Sequence, residues 1–282
     1  MLEQPKFGSL TQGTIFCCAK AEDYSGCDVA GLVITARCDV ANDKTPIYTY
    51  LPIVSLRDWL DRDGGTLIAS RAANEAIASL RQELKGAGHS ISILETEPWL
   101  NIVETLFPDS GKKAAKAVRE RALKAIERHE AATKCLATPF GAKRAHDVVR
   151  ENHGIVRSLI SELTTHRLAG YYFMQKIDPA GKAAGFVIQL REVNSLPRPL
   201  ASSVAGGLDL SLSTDQMIHA TRYLDRGTTN YAMPLAQVTS PTIEHILQQF
   251  SLTFSRIGVA DVPIDYVSDF LLGSILSVEG KN

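Results

Sequence analysis

The hydrophobic period of this chain changes twice, and that change decides what it can fold into. From Gly13 to Leu56 apolar residues come in short runs rich in β-branched side chains, GTIFCCAK, GLVITARCDV and IYTYLPIVSL, separated by the polar turns AEDYSGCD and ANDKTP. Such runs bounded by turn residues predict three strands. The third is expected near a sheet edge, because Pro46 and Pro52 cannot donate to a ladder.

From Ser55 the spacing becomes helical. SLRDWLDRDGG reads as a short helix stopped by Gly64-Gly65, and ASRAANEAIASLRQELKGAG, EPWLNIVETLFP, GKKAAKAVRERALKAIERHEAATKCL and AKRAHDVVRENHGIVRSLISELTTHRL continue the helical pattern. Strands return at Tyr171, where YYFMQKI and GFVIQLREVNSLP flank the turn DPAGK as a hairpin would. SPTIEHILQQFSLTFSRIG then opens a helix, with Ser240 as cap, Pro241 in first position and Glu244 in the first turn.

Strands on both sides of a helical block need each other as partners, so the expected class is α+β. The architecture would be a small β-barrel or curled sheet interrupted by a helical insertion, with C-terminal helices. Its split core is expected at 1–56 and 169–200, its insertion at 57–168, and a mixed or helical region at 201–282.

A chain of 282 residues that is 45% apolar can bury an ordinary core, and a net charge of −1 argues against a protein that coats nucleic acid over its whole surface. No run approaches the roughly 20 apolar residues of a membrane helix, and MLEQPKFGSLTQ lacks the features of a signal peptide. A cytoplasmic protein without a membrane partner is the expectation. Its five cysteines are then reduced thiols. Cys17, Cys18, Cys27 and Cys38 lack the spacing of a zinc ribbon, and adjacent residues of an extended strand point to opposite faces, so Cys17 and Cys18 would not share an ion without a bulge. No metal and no cofactor is expected. His129, His146, His153 and His166 fall on the helical segments and read as surface residues.

Charge is uneven. Between Gly111 and Arg157 twelve Lys or Arg face five acids, a surplus of seven on a chain whose remainder is acidic. Lys112, Lys113, Lys116, Arg119, Lys143 and Arg144 are therefore candidates to track a phosphate backbone or to meet an acidic protein.

The order of the first strands resembles the opening of the MazF/PemK toxins. Gly13-Thr14-Ile15, Val33-Ile34-Thr35 with Asn42, and Pro52-Ile53-Val54-Ser55 stand where that family has its first three strands, and Leu190, Arg191 and Val193 are similar to its strand before the final helix. The similar stretches cover about a quarter of the chain. The resemblance implies a small barrel that cleaves RNA with an Arg and a strand-end Thr or Ser around the scissile phosphate. Arg37 would then contact phosphate, Asp39 or Ser55 would supply the catalytic group, and Arg191 would be a second cation. Val54 stands where the family has its Thr, and no His falls in the similar strands. Two functions follow: an RNA-directed protein of a bacterial toxin or defence system, an endoribonuclease if active, or a catalytically silent interaction module of a multi-component system. The expected partner is RNA or an acidic protein, with a homodimer left open.

Overall fold

The computed structural model describes residues 1–109, 112–137, 142–181, 184–211 and 220–255, with backbone alone for 142–146. Four strands precede the helical block: β1 (Leu2–Glu3), β2 (Thr14–Cys17), β3 (Ala30–Val33) and β4 (Ile47–Ser55). After it come β5 (Tyr171–Met174), β6 (Phe186–Gln189), β7 (Asn194–Pro197), β8 (Leu208–Asp209), β9 (Tyr231–Ala232) and β10 (Pro234–Val238). The main sheet runs β1-β10-β2-β3-β4-β6-β5, antiparallel throughout, with β7 also on β4. It curls into a half-barrel. The expected union of strands from both sides of the insertion is present, and the C-terminal region joins it too, because β10 lies between β1 and β2.

β4 is central rather than marginal. One of its edges pairs with β3, and the other pairs first with β7, from Ile47 to Tyr50, and then with β6, from Ile53 to Ser55. Pro52 falls in the gap between those two partners, where a missing N–H leaves no acceptor orphaned. The run GFVIQLREVNSLP is therefore two strands, not one, with the break at 190–193.

The helices are α1 (Arg37–Ala41), α2 (Leu56–Trp59), α3 (Gly65–Gly86), α4 (Ile93–Thr96), α5 (Trp99–Leu106), α6 (Lys113–Leu136), α7 (Ala142–Glu151), α8 (His153–Thr164), α9 (Arg198–Gly206) and α10 (Thr242–Phe254). A π-helical turn at Leu60–Gly64 joins α2 to α3, so Gly64-Gly65 does not stop the helix as its sequence suggested. The reason is packing. A Cβ on Gly64 would lie 2.7 Å from the fully buried Trp59 ring. The same turn is tied to the sheet through Tyr24, whose hydroxyl donates to Asp63 at 2.8 Å and accepts from the buried Gln189 amide at 3.1 Å.

Both faces of the sheet are covered, which explains why β4 reads as a nearly continuous apolar run. Phe16, Tyr50, Val54, Val187 and Leu196 face a core shared with α3, α8 and α9. Ile15, Leu51, Ile53 and Ile188 face a second core closed by Ile243 and Ile246 of α10. The distal half of α3 leaves the sheet, and Leu80 and Leu84 pack with Ile102, Val103 and Ile126 of α5 and α6 in a third cluster.

Gly31 sets how tightly the first core closes. Its missing side chain admits the edge-to-face pair of Phe16 and Tyr50, whose rings lie 5.2 Å apart, and a Cβ there would meet them at 2.6 and 2.9 Å. Gly31→Ala is expected to destabilise the protein by about 1–3 kcal/mol through overpacking. Gly86→Ala, at a helix position with open space around it, is expected to stabilise by about 0.5–1 kcal/mol. Urea unfolding of both variants checks the contrast.

Candidate functional site

The residues singled out from the MazF/PemK resemblance do not meet. The chain leaves β3 at Val33, so Arg37, Cys38 and Asp39 lie on α1 and not on a strand. There Arg37 is exposed, and the turn is closed locally by Asn42, whose amide donates to the Cys38 carbonyl at 2.7 Å. Ser55 lies at the far end of β4. Since Ile34 pairs with Thr49 beside α1, six residues of strand, about 20 Å, separate the Arg37 corner from Ser55. The Ser55 hydroxyl is also engaged as the cap of α2, accepting the Asp58 amide at 3.0 Å and donating to the Asp58 carboxylate at 2.6 Å. Val54 is fully buried beneath the sheet, a core position with no route to a phosphate.

The basic patch is narrower than its count suggested. Counting within one helix overlooked the carboxylates of α3: Arg121 meets Glu83 at 2.6 Å and Arg128 meets Glu75 at 2.9 Å. Arg119 donates to the Phe107 carbonyl at 2.8 Å. Lys112, Lys113 and Lys116 are exposed at the start of α6, while the side chains of Lys143 and Arg144 lie outside the described residues.

Among the described residues no group of three or more His, Cys, Asp or Glu could hold a metal ion. Cys17 and Cys18 nevertheless line one cavity, against the expectation of opposite faces. Cys18 follows β2 with φ of 63°, and this left-handed residue breaks the alternation of the strand.

The strongest convergence of chemistry lies where α8 turns into β5. Leu159 and Leu163 anchor α8 in the first core, and the chain must then reverse to pair Tyr172 with Ile188. The reversal is a Schellman cap: Arg167 N–H bonds the Glu162 carbonyl at 2.8 Å and His166 N–H bonds the Leu163 carbonyl at 3.1 Å. Glycine usually takes the left-handed position of such a cap, yet His166 occupies it with φ of 56°, at a cost of roughly 1–2 kcal/mol. Its ring stacks on Tyr172, centroids 4.0 Å apart and planes 12° from parallel, and meets the edge of His245 from α10 at 5.3 Å. His166 Nδ1 is buried without a hydrogen-bond partner.

In front of this aromatic group opens a cleft of about 420 Å³, lined by His166, Arg167, Arg191, Gln249 and Thr253 among others. Gly170 helps to place its second cation: Arg191 lies across the backbone there, with Nε 2.8 Å from where a Cβ would stand. Behind the cleft Tyr172 Oη and His245 Nδ1 are 3.1 Å apart, and His245 Nε2 lies 3.5 Å from the Gln249 amide. Either imidazole tautomer satisfies these partners if the amide orients to suit.

Burial first, and the neighbouring His245 second, lower the His166 pKa below the ordinary 6.5, so its imidazole is neutral at neutral pH. Burial raises Tyr172, which stays a protonated phenol. One imidazole and two guanidiniums therefore line the cleft, with Tyr172 and His245 packed behind the imidazole. Of these, sequence reasoning noticed Arg191 and read His166 as a helical surface residue. His245 went unremarked, since nothing in EHILQQF signals that this helix returns to meet the end of α8.

Compared with known proteins, the chain matches no family model, no curated protein and no solved structure. Its functional reading rests on its own residues.

The lowered His166 pKa has a signed effect on stability. An unfolded histidine binds its proton near 6.5 and the folded one only at lower pH, so the unfolded chain takes up more protons as pH falls. The contribution is intact above about 6.5 and is lost as pH drops through the lowered folded value. Thermal unfolding between about pH 5 and pH 7.5 should show a steeper fall in Tm for the parent than for His166→Asn, a residue that tolerates the left-handed region. Equal slopes would mean that His166 titrates normally.

Proposed function

We propose that the protein is an RNA-directed, metal-independent endoribonuclease whose working centre is the cleft at the end of α8. The observation that carries this reading is a neutral, partly buried His166 facing the same cleft as Arg167 and Arg191. Cleavage of RNA without a metal needs a base to take the proton of the ribose 2′-hydroxyl and cations to stabilise the charge that grows on the attacked phosphate. His166 supplies the first. Arg191 and Arg167 supply the second, Arg191 held over Gly170 and Arg167 set by the Schellman cap. Tyr172 and His245 act through His166, one by stacking and the other by opposing its protonation. The 2′-oxygen attacks phosphorus, the bond to the 5′-oxygen breaks, and that oxygen takes a proton from water, leaving a cyclic phosphate and a free 5′-hydroxyl. Exposed Lys112, Lys113 and Lys116 add sequence-independent attraction for the strand.

This reading keeps the toxin or defence setting suggested by the MazF/PemK resemblance but moves the chemistry away from Arg37, Asp39 and Ser55. Long single-stranded RNA incubated with purified protein and a chelator is expected to give fragments ending in cyclic phosphate. His166→Ala should slow cleavage by about 10²–10⁴-fold, and Arg191→Ala by about 10²–10³-fold. Arg37→Ala should leave the rate unchanged. Absence of cleavage, or cleavage that survives His166→Ala and fails in Arg37→Ala, overturns the assignment.

A further inference from the structure

A second cavity, of about 340 Å³, shares no lining residue with the cleft. Cys17 and Cys18 sit in its wall, and apolar side chains, among them Val29, Ile177, Phe186 and Leu235, make most of the remainder. The two thiols are neighbours because of backbone geometry. Their peptide bond is trans, and the left-handed Cys18 breaks the alternation of the strand, so that both thiols border one cavity, with the Cys18 thiol donating to the Thr229 carbonyl at 3.6 Å. The Cys17 thiol donates to the Tyr231 carbonyl at 3.1 Å, and its sulfur accepts from the Met233 amide at 3.3 Å. The neighbouring Cys18 first, with the Met233 and Cys17 backbone, outweighs burial and brings the Cys17 pKa down to about 7, while Cys17 and burial push Cys18 up. Cys17 is thus the thiol of the pair that ionises first, and Cys18 keeps its proton.

We infer that Cys17 and Cys18 form a peroxide-sensing dithiol, in which an organic hydroperoxide entering the apolar cavity converts the pair to a vicinal disulfide. The Cys17 thiolate attacks the terminal peroxide oxygen, the O–O bond breaks, and the alkoxide leaves as the alcohol after protonation by solvent. Cys17 is then a sulfenic acid. The Cys18 sulfur attacks Cys17, the S–OH bond breaks, and hydroxide leaves with the Cys18 proton as water. Two thiols have lost two electrons and the hydroperoxide has gained them.

The product would be reversible by design of the backbone. Consecutive Cα atoms across a trans peptide are about 3.8 Å apart, shorter than the roughly 4.4–6.8 Å of ordinary disulfides, and a strained bridge is readily reduced by cellular thiols. Oxidation also removes the thiol protons that Cys17 donates to the Tyr231 carbonyl at 3.1 Å and Cys18 to the Thr229 carbonyl at 3.6 Å, so residues 229–233 lose side-chain ties to Cys17 and Cys18.

The test uses the full chain. Reduced protein is treated with cumene hydroperoxide or hydrogen peroxide, blocked with N-ethylmaleimide and digested with trypsin, which places Cys17 and Cys18 alone among the cysteines in the peptide 7–20. That peptide should lose two hydrogens and both maleimide sites, recover them with dithiothreitol, and react several-fold faster with cumene hydroperoxide than with hydrogen peroxide. In Cys18→Ser, with its fold checked by circular dichroism, Cys17 should stop at a sulfenic acid trapped by dimedone. The inference is overturned if peptide 7–20 keeps both maleimides while exposed Cys38 oxidises, or if Cys17 bridges to a cysteine outside the pair. Equal rates with the two peroxides overturn the role of the apolar cavity.

Discussion

The structure depends on β4 being paired along both edges. Its register with β3 joins residues close in sequence, whereas its register with β6 joins Ile53 to Ile188 across the whole helical block. Closing that loop costs chain entropy, but the cost grows only with the logarithm of loop length. It is offset where strands from both segments bury a side chain on each face at every step: Val54 with Val187 on one face, Ile53 with Ile188 on the other. The helical block is therefore held at its roots. Trp59 and the Tyr24–Asp63 bond fix its entry, and Leu159 and Leu163 fix its exit, while the third cluster lets α5 and α6 extend away from the sheet.

This arrangement places the cleft. β5 is an edge strand of the main sheet and must begin at Tyr171 to keep register with Gln189, so α8 has only the residues from 165 to 170 in which to reverse. A reversal this short demands left-handed residues, and they are His166 and Gly170. Each then aims one functional group at the same space: the imidazole directly, and the Arg191 guanidinium by leaving room for it. α10 supplies the back wall because Ile243 and Ile246 seal the second core on that side.

Legibility in the sequence follows the range of the interaction involved. The α+β class, the split sheet and the β5–β6 hairpin were readable, since hydrophobic period and the DPAGK turn are local signals. The end of β3 was not: RCDVA carries β-branched and apolar character, and only the closure of Asn42 onto Cys38 shows a helical turn. Gly64-Gly65 misled for a different reason, being demanded by Trp59 and not by a helix end. For the site, Arg191 was visible through a resemblance of pattern, whereas the His166–Tyr172–His245 group depends on three elements separated by up to 79 residues. Pairing of α6 with α3 carboxylates was equally invisible to a count along one helix.

Backbone strain joins the two sites by a common logic. Among the described residues three that are not glycine have positive φ: Cys18, Asp43 and His166. Asp43 closes the turn after α1 and pairs with Arg198 at 3.2 Å, so its conformation has a structural use. At Cys18 and His166 the turn itself would be made by glycine at lower cost. In both, the side chain retained in a disfavoured backbone is the chemically active kind, a thiol or an imidazole, and in both it borders a cavity. An observed strain at a residue of that kind is a reasoned pointer to function. Cys18 sits against Thr229 and His166 against His245 of α10, and the two cavities share no residue, so each strained side chain has its own space to act in.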